Sequence, residues 1–177
     1  MTVLLFRTDT TDKYHSDRPI DHPTQCRMMK LEAVLYTSKW VETNRISVLM
    51  RPDGWVPRAG AEKVHGLTAD ICEQFGLRPN VAIALFMDMV RSTKEIASWG
   101  LPFHSAVINI EINRLKANPP QEWTRRGLVR TDIMALAARK WNNGVNMKIE
   151  KAVEALPLPD WNGDKMAASL AILRGLR

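Results

Sequence analysis

Cysteine is nearly absent: Cys26 and Cys72 are the only two in 177 residues, far apart and outside any CxxC or His/Cys-rich cluster. That spacing speaks against a disulfide framework or a structural zinc site and leaves two reduced thiols. Long apolar runs are missing too. The longest near the start, Val3 to Phe6, is too short for a signal peptide, and no stretch reads as a membrane span. The expectation is an intracellular, cytoplasmic protein with no membrane partner. Low-complexity tracts, internal repeats and a domain-splitting linker are likewise absent, which leaves one ordinary globular domain over residues 1–177.

What is present is positive charge. Lys and Arg outnumber Asp and Glu by 25 to 19, for a net charge of +6 and a pI near 9.6. An excess of that sign favours an anionic partner, of which nucleic acid is the commonest. With 45% hydrophobic residues the chain can still build a sizeable core.

Periodicity orders the elements. Thr2 to Phe6 reads as a short buried strand, and Arg27 to Thr37 as a half-exposed one with Met29, Leu31, Ala33 and Leu35 on one face. Arg45 to Met50 supplies a third. The connection Lys13 to Gln25, charged and holding Pro19 and Pro23, is loop. Its His15 and His22, beside Asp17 and Asp21, are read as solvated rather than as a metal site. Arg51 to Gly60 (RPDGWVPRAG) is read as an irregular surface segment. Thr68 can cap a short helix from Ala69, and Asn80 a longer one to about Thr93, with Met87 and Met89 as core filler. A strand at Glu95 to Trp99 and a helix from Phe103 to about Ala117 follow, stopped at Asn118-Pro119-Pro120. Strand Leu128 to Thr131 and helices at Asp132–Lys140, Met147–Leu156 and Asp164–Leu173 complete the order. Three strands, then strands alternating with helices, predict a mixed sheet with helices packed on it.

The stretch LLFRTDTTD, Leu4 to Asp12, runs an apolar strand straight into a segment with one arginine and two acids. It resembles the first motif of the DnaQ-like, DEDD-type 3′-to-5′ exonucleases, where the strand ends in Asp-x-Glu-Thr-Thr-Gly. AEKVHGLTADIC, Ala61 to Cys72, resembles that family's Val-His-Gly-Ile-Thr segment. IASWGLPFHSAVINIEINRL resembles its second motif, a strand followed by a helix that ends in Glu-x-x-Arg. TDIMALA and DWNGDKMAASLAIL resemble the next strand-to-helix segment and the closing His-x-x-x-x-Asp helix. The resemblance spans Val3 to Leu173 and implies an α/β, ribonuclease H-like fold: a five-stranded mixed sheet flanked by helices.

Members of that family cleave phosphodiesters with two divalent ions held by four carboxylates, because hard cations in a two-metal reaction demand anionic oxygens. Carried over residue by residue, the first acid falls on Arg7, the second on Asp9, the third on His104 and the fourth on Lys165. The general-base histidine falls on Asp160, and the second motif's His-Asn on Trp99 and Gly100. A one-residue shift would put Asp164 at the last acid position instead of Lys165. In the leading alignment a site of formal charge about −4 becomes about +1, which repels divalent cations rather than gathering them. A guanidinium cannot be deprotonated to serve as a ligand.

The resemblance therefore implies a catalytically degenerate, exonuclease-fold protein that binds nucleic acid, single-stranded or at a 3′ end, or a replication or defence protein partner. No cofactor is expected. One alternative is an active 3′-to-5′ exonuclease using Mg or Mn at an atypical site built on Asp9 with Asp160 or Asp164; another is a protein-interaction scaffold. Arg7 and Lys165 are expected either to pair with Asp160 and Asp9 or to hold phosphate directly. His65 stands in the loop that lies beside the 3′ nucleotide in the family, and it can equally bond its own loop. Trp123 with Arg125, Arg126 and Arg130 makes a basic patch with an aromatic, suited to single strands, or a solvated loop over a buried tryptophan. Trp40, Trp55 and Trp99 are read as packing residues, Trp55 being the best candidate for an exposed contact.

Overall fold

The computed structural model describes residues 2–156 and 162–177. A single mixed sheet of five strands forms its centre: β1 (Val3–Thr10), β2 (Met28–Tyr36), β3 (Glu42–Leu49), β4 (Glu95–Ser98) and β5 (Val129–Asp132). Their order across the sheet is β3-β2-β1-β4-β5, with β1 antiparallel to β2 and parallel to β4. The first half of the middle strand, Val3 to Phe6, is apolar throughout, because a strand covered on both faces must be apolar on both. Leu4 and Phe6 enter one core cluster, and Val3 and Leu5 enter the other.

Helices α1 (Ala59–His65), α2 (Ala69–Phe75), α3 (Pro79–Arg91), α4 (Leu101–Arg114) and α5 (Gln121–Thr124) lie between β3 and β5 in the chain. After β5 come α6 (Ile133–Trp141), α7 (Ile149–Glu154) and α8 (Lys165–Gly175). Ile83, Phe86 and Val90 of α3 and Val107, Ile108 and Ile110 of α4 pack with Leu4 and Phe6. Ile133, Ile149, Ala168 and Ile172 of α6, α7 and α8 pack with Val3 and Leu5 on the opposite face. Side chains alternate along a strand, so Thr8 shares the α3–α4 face while Arg7 and Asp9 share the α8 face.

Local signals set the ends of several helices, and the expected cap at Thr68 is among them. Thr68 caps α2, its hydroxyl accepting from the Ile71 amide at 3.2 Å. Asp132 caps α6 and also accepts from the Gly100 and Leu101 amides at 3.1 and 3.3 Å, tying the starts of α4 and α6 together. Gly100 sits at φ 79°, a left-handed turn between β4 and α4 that suits glycine.

Other expectations are corrected. The long helix is capped at Arg78, not Asn80, because Pro79 takes the first helical position, where its missing N–H costs nothing. Two short helices, α1 and α5, fall where loop was expected. α1 buries no residue, so it has no apolar periodicity to read, and α5 follows Pro120, which starts a turn as readily as it ends one. β2 is not half-exposed: Val34 and Tyr36 are buried under the second cluster while Met29, Leu31 and Ala33 face the first. The Lys13–Gln25 loop is ordered by the buried Gln25 amide, which accepts from the His15 amide and donates to the carbonyls of His15, Arg18 and Pro19. Trp55 is buried rather than an exposed contact, 9% of its surface remaining accessible.

Candidate functional site

β4 stops at Ser98 while β1 continues to Thr10, so the last residues of β1 have no strand beside them on that edge. His104, on the first turn of α4, fills the gap. The Thr8 amide donates to its Nδ1 at 3.0 Å, and the Thr8 hydroxyl lies 2.8 Å from the same nitrogen. A backbone amide can only donate, so Nδ1 accepts and the ring proton belongs on Nε2. Burial, reinforced by Arg7 and opposed by a hydrogen bond to the Trp99 backbone, pushes the His104 pKa down to about 3. The imidazole is therefore neutral, and its acceptor nitrogen is already engaged.

On the other face, Arg7 lies between two carboxylates. Its Nη2 is 2.6 Å from Asp9 Oδ1 and its Nη1 is 3.4 Å from Glu32 Oε2. Glu32 in turn holds Lys30 Nζ at 2.7 Å. The strand register dictates this arrangement, since Arg7 stands opposite Glu32 and Asp9 opposite Lys30. The expected Lys165–Asp9 pair does not form, because Arg7, two residues away on the same face, already occupies Asp9. Asp160, the partner expected for Arg7, lies outside the described residues.

Beyond the strand end opens a cleft of about 790 Å³ lined by Arg7, Asp9, His65, His104 and Lys165 among others. Residues separated by nearly the whole chain thus converge on one cleft. Lys165 rather than Asp164 is the residue on the cleft wall. Asp164 caps α8, one carboxylate oxygen accepting from the Met166 and Ala167 amides at 2.8 and 3.0 Å. His65 bonds its own surroundings while lining the cleft: its Nδ1 accepts from the Leu67 amide at 3.0 Å, and its Nε2 lies 3.2 Å from the Thr10 carbonyl oxygen.

Sequence reasoning missed much of the wall. Tyr14, Phe103 and Ile149 supply apolar surface, and Lys13, Arg58 and Lys148 supply charge. Lys13, Tyr14, Arg58 and Lys148 lie outside the regular helices and strands and carry no periodic signal. Among the described residues, five Lys or Arg side chains and three carboxylates line the cleft. Asp12 is held by Arg58 Nε at 2.9 Å.

The basic patch elsewhere is not brought to this cleft. Trp123 cannot stack on a base, since 2% of it is accessible and its ring packs edge-on against Phe6 and Phe86. Arg125 donates to the Val90 carbonyl at 3.1 Å and also to that of Thr93. Arg130 lies over the Trp123 ring, 4.6 Å from its centroid. These groups join α3, α5 and β5, and only Arg126 of the expected cluster is exposed without a described partner. Both cysteines are buried, and burial with nearby Glu111 and Asp12 raises the Cys26 thiol to about 12.

The donors that do converge make a poor fit for the two divalent ions that the resemblance implies. Asp9 is engaged by Arg7, His104 by Thr8, and the remaining two family-site positions are cations. Among the described residues no group of three or more His, Cys, Asp or Glu side chains is placed to hold a metal ion. Such ions need several anionic oxygens.

The architecture, a five-stranded mixed sheet of this order with helices on both faces, is the ribonuclease H-like fold of exonucleases. Among solved structures, exonuclease I with bound product superposes with a TM-score of 0.78 at 17% identity, over 98% of this chain and 42% of that one. Exonuclease I of E. coli in complex with a dT13 oligonucleotide gives 0.76 at 18%, over 99% and 40%. The zinc-ion-bound form of the E. coli enzyme with single-stranded DNA gives 0.78 at 18%, over 98% and 39%. The chain thus spans about two-fifths of the length of these proteins, and at such identity the likeness is one of fold. No protein-family model and no curated protein matches the sequence. No helix among the described residues is long and apolar enough to cross a membrane.

Proposed function

We propose that this chain is a catalytically degenerate exonuclease-fold domain that binds single-stranded nucleic acid, or a strand's 3′ end, in the cleft beyond β1 without divalent metal. The observation that carries this reading is the ion pair between Arg7 and Asp9, which puts a fixed guanidinium on the one acid left at the four family-site positions. A carboxylate so occupied is a poor ligand, and the cations around it offer phosphates the attraction that metals would otherwise supply. Apolar walls at Tyr14 and Phe103 suit bases and sugars. The solved neighbours include exonuclease I bound to oligonucleotides, which supports nucleic acid as the partner class. The cell compartment proposed is the cytoplasm, where such strands are met.

The test is anisotropy of a labelled single-stranded oligonucleotide at two salt concentrations, with digestion assayed in Mg²⁺ and in Mn²⁺. Affinity should fall with salt at a log–log slope of about −0.7 for each phosphate contacted, and the oligonucleotide should stay intact. Digestion that is lost in Asp9→Ala would establish an active, atypical metal site instead. Absence of binding to DNA and RNA alike would leave the fold as a protein-interaction scaffold.

A further inference from the structure

The charges lining the cleft are not evenly matched. Arg7 holds Asp9 and Arg58 holds Asp12, so those cations are already balanced by carboxylates. Lys13, Lys148 and Lys165 also line the cleft, and among the described residues none of them forms an ion pair. Among the described residues Glu150 is the remaining carboxylate on the wall. Among the described residues, three lysines against one acid leave a surplus of two positive charges in a cleft of about 790 Å³ whose other walls are largely Tyr14, Phe103, Val64 and Ile149.

An internal phosphodiester carries one negative charge. A phosphomonoester, with a second pKa near 6, carries about −1.5 to −2 at neutral pH and three strong acceptor oxygens. From this match of charge, size and apolar surface we infer that the cleft selects a nucleotide bearing a terminal phosphomonoester over the same strand ending in a hydroxyl. The ammonium groups are suited to it: each is a compact point charge with rotatable donors that can gather on one phosphate from separate elements, here the loop after β1, the approach to α7 and the first turn of α8. The inference rests on the reading of the cleft as a nucleic-acid site and narrows the ligand to one kind of end.

The experiment compares two decathymidylates labelled at the 5′ end, one with a 3′-phosphate and one with a 3′-hydroxyl, by anisotropy with the full chain at low and physiological salt. The phosphorylated strand should bind about tenfold more tightly, as expected when one more charge-assisted contact is made. Lys165→Gln and Lys148→Gln should each remove most of that advantage while Lys165→Arg keeps it, with circular dichroism confirming that each variant is folded. Competition with thymidine monophosphate separates the sources of the group: displacement at concentrations where thymidine is inert marks free nucleotides as ligands too, and its failure marks a strand end. Equal affinity for the two ends, or an advantage that both lysine variants leave intact, overturns the inference while the proposed function stands. Failure of both strands, and of the matching pair of decauridylates, to bind overturns the proposed function with it.

Discussion

Two arginine–carboxylate clusters flank the same end of the sheet, and they differ in one respect that decides their roles. On the α4 face, Arg27 is clamped between Glu111 and Asp53: its Nε lies 3.1 Å from Glu111 Oε1 and its Nη2 2.8 Å from Asp53 Oδ2. Glu111 Oε1 also accepts from the Met28 amide at 2.9 Å. The Arg27 and Glu111 side chains are 10% and 2% accessible. On the α8 face, Arg7, Asp9 and Glu32 are 24%, 11% and 20% accessible at the mouth of a cleft. The chemistry is the same, but the dielectric is not. The buried cluster fastens the start of β2 to α4, because a charge cut off from water must keep its partners. The cleft cluster keeps contact with solvent, where an anionic ligand can compete for the guanidinium.

The sharpest way to break the contrast is to remove a partner from each side. Glu111→Ala, which leaves Arg27 with Asp53 alone, should cost about 3–5 kcal/mol of stability in a urea melt. Arg7→Gln should cost about 1 kcal/mol or less, since its pairs are part-exposed, yet should weaken oligonucleotide binding. If both variants melt alike, burial does not separate the clusters.

His104, between them, sharpens the comparison through pH. The unfolded chain protonates this ring near the ordinary 6.5, whereas the folded ring resists down to about 3. Across that window the unfolded state binds more protons, so the stability tied to the neutral ring is full above pH 6.5 and drains away as pH falls towards 3. The native chain should therefore lose more stability over that range than His104→Gln, as read by denaturant midpoints at several pH values. At pH 7 the same substitution should cost roughly 1–3 kcal/mol if it leaves the Thr8 amide without its acceptor.

The smallest effect is expected on β3. Arg45 and Glu42 form a pair at 2.7 Å with side chains 51% and 40% accessible. Glu42→Gln should shift stability by about 0.2–1 kcal/mol and fade at high salt, the behaviour of an exposed pair.

Much of the fold was legible in the chain because its signals are local. Val3 to Phe6 announced the central strand, Thr68 and Asp132 announced helix starts, and Glu111 was visible as the first member of a Glu-x-x-Arg helix end. The site was legible only in part. Arg7, Asp9, His65, His104 and Lys165 do converge on one cleft. Trp123, read beside Arg125 and Arg130 as a patch for bases, is core instead. Its burial depends on Phe6 of β1 and Phe86 of α3, residues that no window around position 123 contains. A one-residue shift would have put Asp164 at the last acid position, but Lys165 lines the cleft and Asp164 caps the helix.

What the residues determine by themselves is the kind of chemistry open to each position: Arg7 carries a guanidinium and Lys165 an ammonium, and no packing turns those cations into metal ligands. Pairing was decided elsewhere. That Asp9 is held by Arg7 rather than by Lys165, and that the Thr8 amide is satisfied by a ring 96 residues away, follows from strand register and helix placement. Hydrogen bonds and ion pairs act over a few ångströms, and only the folded sheet brings such distant groups that close.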